Sequence, residues 1–140
     1  MEAPGRLRSC AAEQKETSEM FELVALMLLS QQPPEPFVEG MASYYTVASS
    51  SGVTASGERM RDNALTCAMR EGEFGHYYLV VAANGRSVVV RLNDRGPYVR
   101  RRVIDLSKAA MRELHPSHGL MWVKVYDLGE KPPPELTAIQ

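Results

Sequence analysis

Two acidic side chains lie in segments whose sequence favours exposure to a ligand. Glu58 follows Ser56-Gly57, and Asp94 lies just before Gly96-Pro97. Small and turn-forming neighbours of this kind place a carboxylate on a surface loop, where it can donate or accept a proton during a reaction. The residue types alone equally allow Glu58 to be a solvated loop carboxylate and Asp94 to accept hydrogen bonds from its own turn.

Arginines are concentrated between Arg86 and Arg102, a segment with six of them and one acidic residue, Asp94. The whole chain has 16 basic and 17 acidic side chains, so its net charge of -1 predicts no general attraction for nucleic acid. Guanidinium groups bind carboxylates through paired hydrogen bonds, which makes Arg95 and the triplet Arg100–Arg102 candidate contacts for an acidic ligand. A solvated arginine-rich loop is the other interpretation.

The histidines and cysteines predict neither a metal site nor a disulfide framework. His115 and His118 have no cysteine or carboxylate partner at metal-ligand spacing, which argues against zinc. His76 is typical of a surface histidine at a strand edge. Cys10 lies in the predicted leader and Cys67 in the predicted domain, so their pairing is not indicated. No metal or organic cofactor is expected.

The overall composition is that of a soluble, folded protein. Hydrophobic residues make up 44% and charged residues 24% of 140 residues, a size that suits one domain. The longest apolar stretch, residues 21–29, is interrupted by Glu22 and is shorter than the roughly 20 residues of a membrane-spanning helix. No integral membrane span is expected, and the N-terminus does not match a secretory signal peptide.

The chain divides into three predicted segments. Residues 1–37 form a leader with a short helix over 17–30 and a proline-rich linker, because proline lacks a backbone donor and ends helices. Residues 38–129 form a β domain, and residues 130–140 form a flexible proline-rich tail.

Short runs of strand-forming residues predict a barrel or a sandwich within the β domain. The predicted strands are 41–47, 77–82, 87–92 and 120–127. Asn84-Gly85 predicts a hairpin with a type I′ turn, since both residues tolerate positive φ. Ser107 predicts the N-cap of a helix over 108–114 that ends before Pro116.

Several stretches closely resemble the rare lipoprotein A family. They are residues 85–98 (GRSVVVRLNDRGPY), 103–110 (VIDLSKAA), 40–45 (GMASYY), 54–58 (TASGE) and 63–66 (NALT). The likeness covers roughly residues 40–128, which is nearly the whole predicted domain.

This resemblance implies a fold, an activity and a location. The fold is a mainly β, six-stranded double-psi β-barrel with one short helix, to which this chain adds an N-terminal helical appendage. The activity is that of an endolytic lytic transglycosylase, which cuts peptidoglycan glycan strands lacking stem peptides and leaves 1,6-anhydro-muramic ends without a cofactor. Peptidoglycan strands are the implied partner, and the implied location is the bacterial cell envelope or periplasm.

The resemblance also assigns the site. Glu58 and Asp94 become the catalytic carboxylates, with a raised pKa expected for the proton donor, and Asp62 becomes the third candidate. Asp105 is expected to brace the approach to the Ser107 helix rather than to react.

Four residues are the expected substrate contacts: Tyr98, Arg95, Tyr45 and Asn93. Sugar faces pack on aromatic rings, so Tyr44, Tyr45, Tyr98 and Trp122 are the candidate rings, and in a strand only one of Tyr44 and Tyr45 can face the groove. A place in the barrel wall is the other interpretation for each ring.

Two positions depart from the family pattern. The family carries an aspartate three residues after the glutamate, where this chain has Arg61 and then Asp62. It carries a histidine where Met69 follows Thr66-Cys67-Ala68. Neither replacement can transfer a proton.

The alternative to an enzyme is therefore a non-catalytic module that binds cell-wall glycan. An expansin-like barrel acting on another polysaccharide is a third reading based on fold alone.

Overall fold

The computed structural model describes residues 18–28 and 33–134. The chain separates into two units, residues 1–34 and residues 35–140. Residues 18–28 of the first unit form helix α1, in agreement with the predicted appendage. The residues outside the described ranges are 1–17 with Cys10, 29–32 and tail residues 135–140, so both predicted ends of that helix lie outside them. Among the residues described, no helix has the length and apolar content to cross a bilayer.

Six strands of the second unit close into a barrel. They are β1 (Val38–Tyr45), β2 (Thr66–Ala68), β3 (Tyr77–Ala82), β4 (Ser87–Asp94), β5 (Arg102–Ser107) and β6 (Met121–Gly129). Their hydrogen-bonded order is β1-β5-β2-β4-β3-β6, and β6 returns to β1. The pairs β1–β5 and β2–β4 are parallel, whereas the other four are antiparallel. The fold is the predicted six-stranded double-psi β-barrel.

The core of the barrel follows from the period of two along its strands. In β3, Tyr78, Val80 and Ala82 are buried while the residues between them are partly exposed, and β4 alternates in the same way. Side chains of successive strand residues point to opposite faces, so one face of each strand packs inward. Burying a Val or Leu side chain contributes about 1.5–3 kcal/mol, which makes this alternating face the main source of the barrel's stability.

The hairpin between β3 and β4 is confirmed, but its predicted turn type is wrong. The Ala82 amide donates to Arg86 O at 2.9 Å, and the Gly85 amide donates to Ala82 O at 3.0 Å. Three residues therefore form the loop. Gly85 has a φ of +86°, whereas the φ of Asn84 is not positive. This is the pattern of a type I turn followed by a left-handed glycine. Asn84 instead uses its Nδ2 to donate to Leu114 O at 3.0 Å.

Helix α2 (Lys108–Leu114) begins and ends where the sequence predicts. Ser107 Oγ accepts a hydrogen bond from the Ala110 amide at 3.2 Å, and Ala110, Met111 and Leu114 are buried in the core. Asp105 lies just before this helix and accepts a hydrogen bond from Ser43 Oγ.

Ser107→Ala removes the side-chain acceptor of the α2 N-cap, so one amide of the first turn loses its partner. We expect the free energy of unfolding to fall by about 1 kcal/mol, as measured by urea denaturation. Ser87→Ala, at the exposed start of β4, is the control and changes stability much less. Equal effects of the two substitutions would contradict the capping role.

Two central strands are absent from the sequence prediction. β2 has three residues, too few to display a period, and β5 contains Asp105 within an otherwise apolar run. Each pairs with a strand on both sides, so partners distant in sequence determine their extended conformation. β1 also differs from its predicted range of 41–47, because pairing with β6 begins at Val38.

Candidate active site

A pocket of about 460 Å³ lies where the 58–64 segment meets strands β2 and β4. Its lining residues are Glu58, Arg59, Arg61, Ala64, Thr66, Arg91 and Asn93. This volume is within the range of about 300–1,000 Å³ found for small-molecule sites. The pocket contains one of the predicted catalytic carboxylates, Glu58, whereas Asp94 and Asp62 are not among its lining residues.

Glu58 forms a bidentate ion pair with Arg91. The Arg91 Nη1 donates to Glu58 Oε1 at 2.6 Å, and Nη2 donates to Oε2 at 2.7 Å. The Asn93 Nδ2 lies 3.5 Å from the same Oε2. Paired hydrogen bonds between guanidinium and carboxylate fix orientation as well as charge, so β4 holds the carboxylate in one place on the pocket wall.

A tight turn presents Glu58 to β4. The Thr54 amide donates to Glu58 O at 2.9 Å, and the Gly57 amide donates to Thr54 O at 3.0 Å. The Ser56 amide donates to Asn93 O at 3.1 Å, which joins the turn to β4. The order Thr54-Ala-Ser-Gly57-Glu58 therefore encodes a compact loop with its acidic residue at the end.

Asp94 holds this turn in position. Its Oδ1 accepts hydrogen bonds from the backbone amides of Ala55 and Arg95, both at 2.8 Å. The bond to Ala55 spans 39 positions of sequence, whereas the bond to Arg95 is the local turn contact expected for an aspartate. Asp94 Oδ2 has no hydrogen-bond partner among the described residues. The carboxylate thus connects the end of β4 to the Glu58 turn.

The Arg91 guanidinium holds the pKa of Glu58 below its usual value, and Asn93 contributes in the same direction. A carboxylate with a lowered pKa is ionised at neutral pH. The expectation of a raised pKa for a proton donor is therefore not met by Glu58 in the free protein. The Glu58 side chain is 42% exposed and the Arg91 side chain 31% exposed, so solvent still reaches the pair.

Arg91→Gln should raise the pKa of Glu58 towards its ordinary value, as followed by NMR titration of the carboxyl carbon. The folded-state pKa is the lowered one, so the ion pair stabilises the fold above the unfolded-state pKa and loses this effect as pH falls through the folded-state pKa. The variant should be less stable than wild type at neutral pH, with the difference shrinking in acid. Arg86→Gln, in the hairpin loop just before β4, is the charge-matched control. An unchanged pKa of Glu58 would contradict the pairing.

Tyr45 and Asn93, two of the predicted substrate contacts, are both buried at the pocket, where Asn93 is itself a lining residue. Tyr45 is 9% exposed, and its hydroxyl lies 2.7 Å from Thr66 Oγ1, which lines the pocket. Burial raises the pKa of Tyr45 to about 12, so the phenol is neutral. Asn93 is 2% exposed. Both side chains are placed to orient pocket-lining groups rather than to present a broad surface to a sugar.

Asp62 connects the pocket segment to two other elements. Its Oδ1 accepts a hydrogen bond from the Val47 amide at 2.8 Å, and its backbone oxygen accepts one from the Ala109 amide in α2 at 2.9 Å. This places the carboxylate at the 3-10 turn Val47–Ser49.

The structure places Arg95 and Tyr98 apart from the pocket lining. Arg95 Nη2 donates to Gly72 O at 2.8 Å and Nη1 to Met69 O at 3.4 Å, while its guanidinium carbon lies 4.2 Å from the centre of the Phe74 ring. These contacts fold the 69–74 segment against β4. Tyr98 is 79% exposed.

The two positions that depart from the family pattern have different surroundings. Arg61 lines the pocket, whereas Met69 is 1% exposed and belongs to the hydrophobic core. Arg61 therefore places a positive charge in the pocket at the position where the family pattern has an aspartate. Met69 is accommodated as an apolar core side chain.

Arg91, Arg59 and Thr66 are the polar pocket residues that sequence reasoning missed. Arg91 interrupts a run of valines in β4 and precedes Asn93 by two positions, so the two share one face of the strand. A charged residue inside an apolar strand was the available signal. The contact with Glu58 spans 33 positions and was not visible in the sequence.

The other titratable clusters lie elsewhere. His76 Nε2 is 3.2 Å from Glu73 Oε2, and His76 Nδ1 is 3.4 Å from Asp127 Oδ1. Within residues 18–28 and 33–134, no three His, Cys, Asp or Glu side chains are grouped so as to hold a metal ion. Cys67 is buried with a free thiol.

Similar proteins include several named as endolytic peptidoglycan transglycosylase RlpA. That of Pasteurella multocida is 44% identical over 77 residues, which cover 54% of this chain and 26% of the relative. That of Escherichia coli O157:H7 is 43% identical over 89 residues, covering 62% and 25%. The matched part of this chain thus spans about a quarter of the length of these relatives.

Two solved structures share the fold. The Streptomyces papain inhibitor is 25% identical with a TM-score of 0.50, covering 64% of this chain and 93% of that one. Apo expansin from Clavibacter michiganensis is 19% identical with a TM-score of 0.53, covering 69% and 52%.

A family model described as lytic transglycolase matches residues 38–132, which is the whole barrel with its loops. The matched range includes the motifs around Glu58 and Asp94. The resemblance to the rare lipoprotein A family is confirmed, and the chain belongs to the lytic transglycolase family of double-psi β-barrels.

Proposed function

We propose that this barrel is a lytic transglycosylase that cuts peptidoglycan glycan strands lacking stem peptides and leaves 1,6-anhydro-muramic ends. The observation that carries the proposal is the position of Glu58 on the wall of a pocket of about 460 Å³, fixed there by two short hydrogen bonds from Arg91. The family model described as lytic transglycolase covers this part of the chain, since it matches residues 38–132.

In the proposed reaction, the 6-hydroxyl of the muramic residue attacks its own anomeric carbon. The bond from C1 to the next sugar's O4 breaks as the bond from O6 to C1 forms. Ionised Glu58 takes the proton from O6 and delivers it to the departing O4, so the reaction gains and loses no proton overall. The lowered pKa of Glu58 suits the first of these transfers, because the carboxylate starts in its basic form.

The remaining predicted residues are given supporting roles. We assign to Asp94 the positioning of the Glu58 turn through Ala55, and to Asp62 the positioning of the pocket segment through Val47. Tyr98 has an exposed ring on which a sugar can pack beyond the pocket. Arg95 stabilises the 69–74 segment through Gly72 and Met69.

The proposed setting is the bacterial cell envelope, where the glycan is found. We take residues 38–129 as the domain that carries the activity, with residues 1–37 as a leader and residues 130–140 as a tail. Peptidoglycan strands are the proposed partner.

The second candidate is a glycan-binding module without turnover, favoured by Arg61 in the pocket and Met69 in the core. Incubation of the protein with peptide-stripped glycan strands, followed by mass spectrometry of the soluble products, separates the two. Release of anhydro-muramic ends supports the enzyme. Intact strands that co-sediment with the protein support the module instead.

A further inference from the structure

Two arginines in the pocket have no role in the ion pair with Glu58. Arg59 and Arg61 line the pocket beside Arg91, and neither side chain makes a hydrogen bond or an ion pair with the residues that the structure describes. Since Glu58 and Arg91 neutralise each other, the pocket has two unbalanced positive charges.

The local backbone explains why both arginines line the same pocket. Arg59 forms an isolated β-bridge with Val53, and the Met60 amide donates to Gly52 O at 2.9 Å. Met60 is 8% exposed, so it is the inward-facing residue of this extended segment. Residues two apart in an extended chain lie on one side, which directs Arg59 and Arg61 together away from the core.

The charge balance of the pocket favours an anionic group on the ligand. Glu58 is the acidic residue of the lining, and Asp62, its neighbour in sequence, has its Oδ1 bonded to the Val47 amide. Guanidinium groups recognise carboxylates through paired, charge-assisted hydrogen bonds. A carboxylate held by Arg59 and Arg61 would lie beside Glu58 without needing to displace it from Arg91.

We propose that Arg59 and Arg61 form a subsite for the lactyl carboxylate of a muramic residue. This inference rests on the proposed function and deepens it. In a strand that carries stem peptides, the lactyl group is an amide and has no charge, whereas removal of the peptide leaves a free carboxylate. The two arginines therefore give this pocket a means to distinguish stripped strands from peptide-bearing ones before any bond is cut.

The test measures binding and does not require turnover. Isothermal titration calorimetry compares the full chain with three oligosaccharides of equal length: peptide-stripped glycan, peptide-bearing glycan and chitooligosaccharide, which lacks the lactyl group. The stripped glycan should bind the wild type about tenfold more tightly than the other two, as expected for charge-assisted hydrogen bonds.

Arg59→Gln and Arg61→Gln should each remove most of this preference and leave chitooligosaccharide binding unchanged. Arg86→Gln, an exposed arginine of the β3–β4 hairpin, is the matched control and should keep the preference. Thermal denaturation of each variant verifies folding.

Equal affinity for the three oligosaccharides, or an undiminished preference in Arg61→Gln, would overturn the proposed subsite even if the protein cuts glycan. The proposal would also be overturned if peptide-bearing strands bound as tightly as stripped ones and lost this affinity in the two arginine variants. The recognised carboxylate would then belong to the peptide. If the protein shows the expected preference for stripped glycan but releases no anhydro ends, the subsite is supported and the proposed activity is contradicted.

Discussion

Glu58→Gln should lower the release of anhydro-muramic ends by about three orders of magnitude, the middle of the range of about 10²–10⁴ for loss of a proton-transfer group. Glutamine keeps the shape of the side chain and one oxygen that accepts from Arg91, but it cannot take a proton from the 6-hydroxyl. Because Glu58 is part of the pocket wall and not of the core, the fold should remain. Initial rates on peptide-stripped strands, measured by mass spectrometry, give the result.

The matched control is Glu113→Gln, an exposed glutamate of α2 that should leave the rate unchanged. Binding of stripped glycan by Glu58→Gln should be at least as tight as that of wild type, since Arg59 and Arg61 are intact and Arg91 loses its counter-charge. A variant that retains a tenth or more of the wild-type rate (about 1.4 kcal/mol in the barrier) would show that Glu58 is not the proton-transfer residue.

Asp94→Ala should reduce the rate by about one to two orders of magnitude, because misplacement of a catalytic group by about 1 Å can cost about a hundredfold. The substitution removes the acceptor for the amides of Ala55 and Arg95, which releases the Glu58 turn from the end of β4. The same assay of anhydro ends measures the loss.

Asp94→Asn distinguishes positioning from direct chemistry. Asparagine retains an Oδ1 that accepts from both amides, so a positioning role predicts recovery to within about threefold of wild type, the scatter expected for a retained hydrogen bond. A role for the charge of Asp94 in the reaction predicts that Asn is as inactive as Ala. The pH profile adds a second readout, since the acid limb set by Glu58 should stay in place in Asp94→Asn.

The ion pair between Glu58 and Arg91 has a consequence for ligand recognition. An isolated carboxylate on the pocket wall would repel the lactyl carboxylate of a muramic residue. Because Arg91 donates to both oxygens of Glu58, the pair is nearly neutral, and Arg59 and Arg61 determine the sign of the pocket. A reacting carboxylate and an anionic substrate group are thereby compatible within one site.

The sequence by itself determined the elements whose side-chain pattern is local. The valine-rich runs of β3 and β4, the hairpin between them and helix α2 with its Ser107 cap were all predicted from a few neighbouring residues. The motifs around Glu58 and Asp94 also sufficed to identify the family. These features depend on alternation, turn chemistry and capping, which act over one to four residues.

The tertiary structure decided the contacts that join distant segments. It paired Glu58 with Arg91, bound Asp94 to the Ala55 amide and turned Arg95 towards the carbonyls of Gly72 and Met69. It also made strands of β2 and β5 by pairing them on both sides. The sequence around an arginine does not show whether its side chain binds a carboxylate, a carbonyl or solvent. Its partner depends on which chain segments the closed barrel brings within hydrogen-bond distance.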